Sequence, residues 1–173
     1  MRVVIIGNSG SGKSTLARAL AARHGLSHLD LDAIVWEAGA VAVERPRADV
    51  ERDLARFIDH HDSWVIEGCY AELAAAALPR CTELLFLNPG PEACLAHNRA
   101  RPWEPHKYAT AEAQDSMLEA LQQWVSDYYH RSSAWSYAAH RALFDGFAGR
   151  KSEHTRPLNV EGQRGAATER APE

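Results

Sequence analysis

An unbroken apolar run, Val3-Val4-Ile5-Ile6, leads straight into Gly7-Asn8-Ser9-Gly10-Ser11-Gly12-Lys13-Ser14, and no other stretch restricts the fold so tightly. A strand this apolar is buried on both faces, and the glycines after it let the backbone curl so that its N–H groups point inward. A helix starting at Lys13-Ser14 closes the curl. Its N-terminus and the ring of amides form an anion hole for the phosphates of a nucleotide. The spacing predicts that Gly7, Asn8, Ser9, Gly10, Ser11, Gly12, Lys13, Ser14 and Thr15 hold the phosphates. Lys13 would reach the β- and γ-phosphates, and the Ser14 hydroxyl would ligate Mg²⁺.

The rest of the chain alternates apolar runs with amphipathic stretches. Leu16, Ala19, Leu20 and Arg23 keep helical spacing up to a stop at Gly25, and a short strand is expected at Ser27-His28-Leu29. A helix opening at Pro46 carries Val50, Leu54, Phe57 and Ile58 on one face. Trp64-Val65-Ile66 and Leu84-Leu85-Phe86-Leu87 read as buried strands, with an alanine-rich helix from Ala71 to Leu78 between them. A helix runs from about Pro91 toward Arg99, and two prolines break the segment from Arg101 to Tyr108. One long helix is expected to place Met117, Leu118, Leu121, Trp124, Val125 and Tyr128 on one face, and Ala142-Leu143-Phe144 reads as the last strand. The pattern implies an α/β chain with the three-layer architecture of P-loop nucleoside-triphosphate hydrolases: a parallel sheet of about five strands, helices on both faces and a short lid. One domain is expected over residues 1–153. Residues 154–173, poor in apolar side chains, read as a disordered tail.

In such sheets ligands lie beyond the carboxyl ends of the strands. Asp30 and Asp32 follow one strand end, and either can hold Mg²⁺ through water or accept the proton of an attacking hydroxyl. Asp32 is the better candidate for the acceptor. Glu67-Gly68 ends another strand, where an acid can orient the metal's water shell. Arg99 and Arg101 flank the proline segment and are candidates to close over the moving phosphoryl group, with Lys107 a weaker one. Trp36 foremost, then Tyr70 and Trp103, could stack on a ring-bearing acceptor. Asp145 to Arg150, placed after the last expected strand, could wrap a base, with Arg150 stacking on it.

Bulk properties narrow the classes. A net charge of -4 argues against a large nucleic-acid footprint. Cys69, Cys81 and Cys94 are odd in number and widely spaced, which predicts reduced thiols in a cytoplasmic protein. No apolar run approaches a membrane span, and the nine histidines show no metal-ligand spacing. The guanine-selecting Asn/Thr-Lys-x-Asp segment of GTPases is missing, and so is the Asp-Glu pair of motor ATPases at a strand end.

The chain resembles the adenylate-kinase-like superfamily of small P-loop kinases over roughly residues 1–150. It is most similar to the adenylate kinase-related, or DNA topology modulation, protein group. The carrying residues are Ile6 through Thr15, then His28-Leu29-Asp30-Leu31-Asp32 with Trp36, then Trp64-Val65-Ile66-Glu67-Gly68-Cys69-Tyr70. A narrower similarity to shikimate kinases rests on Asp30-x-Asp32, which looks like their Mg²⁺ and acceptor acids. Two family features are missing. The Asp-Gly-Phe-Pro-Arg run of adenylate kinases reads Glu67-Gly68-Cys69-Tyr70-Ala71, without its arginine, and the triple glycine of shikimate kinases does not occur there. The resemblance implies ATP, Mg²⁺ and phosphoryl transfer to a small molecule, with a nucleotide or nucleoside among the candidates. A nucleotide-gated regulator with weak ATPase activity, linked to nucleic acid, is the alternative. The acceptor and the oligomeric state are not readable.

Overall fold

Three apolar runs form the centre of one five-stranded parallel sheet in the order β2-β3-β1-β4-β5. A computed structural model describes residues 1–37, 43–104 and 110–158 of the chain. Strand β1 (Arg2–Gly7) enters the phosphate loop, and helix α1 (Lys13–His24) leaves it. Strand β2 (Ser27–Asp30) is followed by the short helix α2 (Asp32–Val35) and by α3 (Arg47–His60). Next come β3 (Trp64–Gly68), α4 (Ala71–Ala77), β4 (Glu83–Leu87) and α5 (Pro91–Arg99). The chain continues through α6 (Ala111–Ser116), α7 (Leu118–Ser126), α8 (Tyr137–Gly146) and β5 (Arg150–His154).

The alternation within β1 divides the core. Val3 and Ile5 pack with Ala17, Leu26, Val65, Leu85 and Leu87 on the α1 face. Val4 and Ile6 join Leu54, Trp64, Ile66, Leu84, Phe86 and Phe144 on the other. Both sides of the central strands are therefore dry, which is why their sequences carry no polar alternation. The edge strands differ: every residue of β2 is half-buried, and β5 is Arg-Lys-Ser-Glu-His.

Two expectations about the C-terminal third are corrected. Ala142, Leu143 and Phe144 lie in α8, whose start is capped by the Ser136 hydroxyl accepting from the Ala139 N–H at 3.1 Å. Phe144 is buried one helical face along from His140, so its spacing belongs to a helix and not to a strand. The actual last strand, β5, is polar because it lies at an edge. The long helix expected through Met117 is two helices, α6 and α7, meeting at Met117, and Tyr128 falls in a 3-10 turn beyond them. β5 runs to His154, one residue past the expected domain end. Residues 159–173 of the expected tail lie outside the described residues. Lys151 of β5 closes the end of α8, its ammonium donating to Phe144 O at 2.8 Å, Asp145 O at 2.9 Å and Phe147 O at 2.7 Å.

The phosphate loop is packed from behind. A Cβ on Gly10 would lie 2.3 Å from Cys94 O and 2.4 Å from Asn98 Nδ2, both in α5, and Gly10 has φ of +76°. Gly12 has φ of +96° but open space where its Cβ would be. Gly10→Ala should therefore destabilise the protein by about 2–4 kcal/mol, through a backbone clash added to conformational strain. Gly12→Ala should cost about 1–2 kcal/mol, from conformation alone. Urea unfolding of the two variants checks the order, and equal midpoints would refute it.

Candidate active site

Parallel register sets which strand ends face one another. Ile6 of β1 is level with Gly68 of β3, and Asp30 of β2 is level with Glu67. The phosphate loop, Glu67 and the Asp30–Asp32 corner thus occupy the carboxyl ends of three adjacent strands, where an α/β sheet binds ligands.

Within the loop, the Ser11 N–H donates to Asn8 O at 3.2 Å, tightening the curl. Lys13 is 8% exposed and its ammonium donates to the same Asn8 carbonyl at 2.8 Å, so the cation is folded back onto the loop. Asn8 Nδ2 donates to Val125 O of α7 at 3.0 Å. The Ser9 hydroxyl donates to Asn98 Oδ1 at 3.1 Å, and His97 Nδ1 lies 2.7 Å from Gly10 O. Asn98 and His97 of α5 are loop supports that sequence reasoning missed, since a side chain bonding a loop backbone leaves no local pattern. The Gly10 position alone hints that another element approaches there. Ser14 is half-buried at the start of α1, and Thr15 is exposed.

The carboxylates differ in surroundings. Asp30 Oδ1 accepts from the main-chain N–H of Asp32 at 2.9 Å, which starts α2. Asp32 Oδ1 accepts from the Tyr70 hydroxyl at 2.6 Å, and that hydroxyl accepts from Trp36 Nε1 at 2.8 Å. Glu67 is 2% exposed, and its Oε1 has no hydrogen-bond partner. His28 Nε2, 3.8 Å from Glu67 Oε1, is likewise buried without one, as is the Ser11 hydroxyl. Such groups are costly to bury unless water or an ion reaches them. A carboxylate oxygen and hydroxyls around one strand end suit Mg²⁺, which prefers oxygen ligands and keeps several waters. No group of three or more His, Cys, Asp or Glu capable of holding a metal occurs among the described residues.

The arginines separate. Arg101 approaches the loop, with Nη2 3.5 Å from the Ser9 hydroxyl and Nη1 3.3 Å from Glu104. Arg99 is exposed at the end of α5. Lys107 lies outside the described residues. Arg150 is corrected: it opens β5 at the opposite end of the sheet, pairing with Glu83 at 2.9 Å, so neither it nor the Asp145–Gly149 connection borders the site. Trp103 is 47% exposed. Trp36 donates to Tyr70 and Tyr70 donates to Asp32, so the polar ends of both aromatic residues are tied to this carboxylate.

Beyond Tyr70 opens a cleft of about 360 Å³, lined by Val35, Arg45, Val50, Tyr70, Leu73 and Trp135 among others. Tyr70 meets Trp135 edge-on at 5.8 Å. Arg45 is bound to Asp53 at 2.7 Å and to Ile34 O at 2.8 Å, and Arg47 at the rim pairs with Glu51 and Glu72. Behind the site, His140 is fully buried, with Nδ1 2.6 Å from the Tyr128 hydroxyl and Nε2 2.9 Å from Cys69 O. A ring nitrogen facing a carbonyl must be the N–H; with the pKa lowered by burial the ring is neutral near pH 7, and Nδ1 then accepts from Tyr128. Burial lowers the His140 pKa to about 4. The Cys69 thiol is pushed up to about 12 by burial, with Asp32 next in effect, and Cys94 up to about 11 by burial, so neither serves as a thiolate.

A family model described as an AAA domain matches residues 3–122, and the chain belongs to that family. No curated protein matches it. Among solved structures, a sugar kinase from a Janibacter species, unliganded, is similar with a TM-score of 0.51 at 16% identity, over 93% of this chain and 88% of that one. The YorR protein of Bacillus subtilis, in complex with phosphorylated GDP, gives 0.52 at 10% identity, over 93% and 90%. These likenesses show the fold.

His140 predicts a pH dependence. Its folded pKa lies below the ordinary value of 6.5, so its contribution is full above that pH and is lost as pH falls toward 4. Unfolding free energy should drop by roughly 3 kcal/mol across that window on this account. His140→Gln should flatten the drop in urea titrations at several pH values, and an unchanged slope would contradict the assignment.

Proposed function

We propose that this member of the AAA domain family is a Mg²⁺-dependent phosphotransferase that moves the γ-phosphoryl group of ATP to a small molecule docked beside Asp32. One observation carries the reading: the phosphate loop and the acids of β2 and β3 share one sheet edge, and Tyr70 joins Asp32 to a cleft of about 360 Å³. A nucleotide switch needs the loop but has no use for a second, acceptor-sized cleft whose wall, Tyr70, is bonded to the Asp32 carboxylate. The strand ends favour transfer as well. Glu67-Gly68 and Asn88-Pro89 stand where a motor ATPase carries its Asp-Glu pair. The similar fold of a protein named as a sugar kinase supports the same class.

In this reading Gly7 to Thr15 enclose the phosphates, and Lys13 exchanges the Asn8 carbonyl for phosphate oxygens. Mg²⁺ would be held by Ser14, with Asp30 and Glu67 acting through water, and it supplies charge neutralisation on the phosphates. Asp32 orients the acceptor hydroxyl or phosphate and accepts its proton. Arg101, against Ser9, is the nearer of the two arginines to the transferring group. Arg99 needs the segment beyond it to close.

Lys13→Ala should reduce triphosphate affinity by at least about 100-fold and abolish acceptor-dependent ADP release, because it removes the cation bonded to the loop's own backbone. Calorimetry with Mg-ATP checks the first. A coupled ADP assay with a panel of nucleosides, nucleotides and small hydroxy acids checks the second. Full turnover in that variant would overturn the assignment. Slow acceptor-independent hydrolysis that responds to nucleic acid would instead identify a nucleotide-gated regulator.

A further inference from the structure

We propose that Tyr70, held by Trp36, is a positioning residue that fixes the Asp32 carboxylate and so sets how an acceptor in the cleft is presented to the phosphate loop; this rests on the phosphotransferase reading.

The hydrogen bonds have only one possible direction. An indole Nε1 donates and cannot accept. The Tyr70 oxygen receives that proton at 2.8 Å, so its own hydrogen must point elsewhere, and Asp32 Oδ1 stands 2.6 Å away. A phenol donating to a carboxylate at this length is charge-assisted and among the stronger neutral-donor contacts. Burial, with Asp32 next in effect, drives the Tyr70 pKa far up, so the hydroxyl stays a donor at every working pH.

The tyrosine itself is fixed on both sides. It is 5% exposed, its ring meets Trp135 edge-on, and the Ala71 N–H after it donates to Ala134 O at 3.2 Å. The residue before it is held through Cys69 O by the buried His140. Asp32, by contrast, begins a helix of four residues and is only half-buried. A carboxylate on so short an element owes its orientation to the groups that bond it. Orientation errors of a fraction of an ångström cost rate when a reacting oxygen must be aligned. The same tyrosine lines the cleft, so an acceptor bound there touches the group that aims the acid.

The test is a double-mutant cycle with a structural arm. With Mg-ATP and the best acceptor from the panel, Tyr70→Phe should lower kcat about 10- to 100-fold while KM for ATP stays unchanged. In an Asp32→Asn background the same change should cost less than about 2-fold, because the positioned group is gone. Equal losses in both backgrounds would show that Tyr70 acts through packing alone, and the proposal falls. Crystal structures of Tyr70→Phe and Trp36→Phe should show the Asp32 carboxylate turned from its place; an unmoved Asp32 in both overturns the proposal whatever the activity. If the wild-type protein releases no acceptor-dependent ADP, the phosphotransferase reading fails, and the crystal arm still decides whether Tyr70 aims Asp32.

Discussion

The close seating of the phosphate loop on α5 is the constraint that the rest of the molecule serves. Beyond the Ser11 N–H on Asn8 O and the Ser9 N–H on Asn8 Oδ1, the curl is held by groups behind it. Here that support is a helix backbone within contact of Gly10, together with Asn98 and His97 on the loop's own polar atoms. The carbonyl of Val125 reaches the loop from a different helix through Asn8. Two elements far along the chain thus fix the geometry of its first turn. A backbone fixed from behind keeps its dipoles preorganised, which is the condition under which they act best on an arriving charge.

What was legible in the sequence follows from how local each signal is. The central strands announced themselves because burial on both faces leaves nothing but apolar residues in Val3–Ile6, Trp64–Ile66 and Leu84–Leu87. The loop was readable because glycine, lysine and serine at fixed offsets describe one continuous piece of backbone. Strand β5 was hidden for the opposite reason. It pairs on one side only, keeps charged residues, and was eclipsed by an apolar triplet that turned out to be one face of α8. The base-binding role expected of Arg150 failed with that strand, because a strand that begins at Arg150 and not at Ala142 puts the arginine at the other end of the sheet.

The acids were found by the strand-end rule, but their relations were not. Nothing in the spacing from Asp32 to Tyr70 shows that a phenol will reach back to a carboxylate, and aromatic residues near a ligand edge invite a stacking role by default. The structure shows a hydrogen-bonded chain, Trp36 to Tyr70 to Asp32, that no local pattern announces. His140 is a similar case: alone on an apolar helix face, it has no neighbours in sequence that betray its two partners. Such contacts depend on elements brought together only by the complete topology.

The polarity of the outer strands has a consequence for the fate of the chain outside its native state. A parallel sheet ends in two rows of main-chain donors and acceptors that could receive an alien strand. On one side an intruder meets Arg150, Lys151, Glu153 and His154; on the other it meets His28 and Asp30. Charged side chains in those rows disfavour the docking of a further strand at either edge.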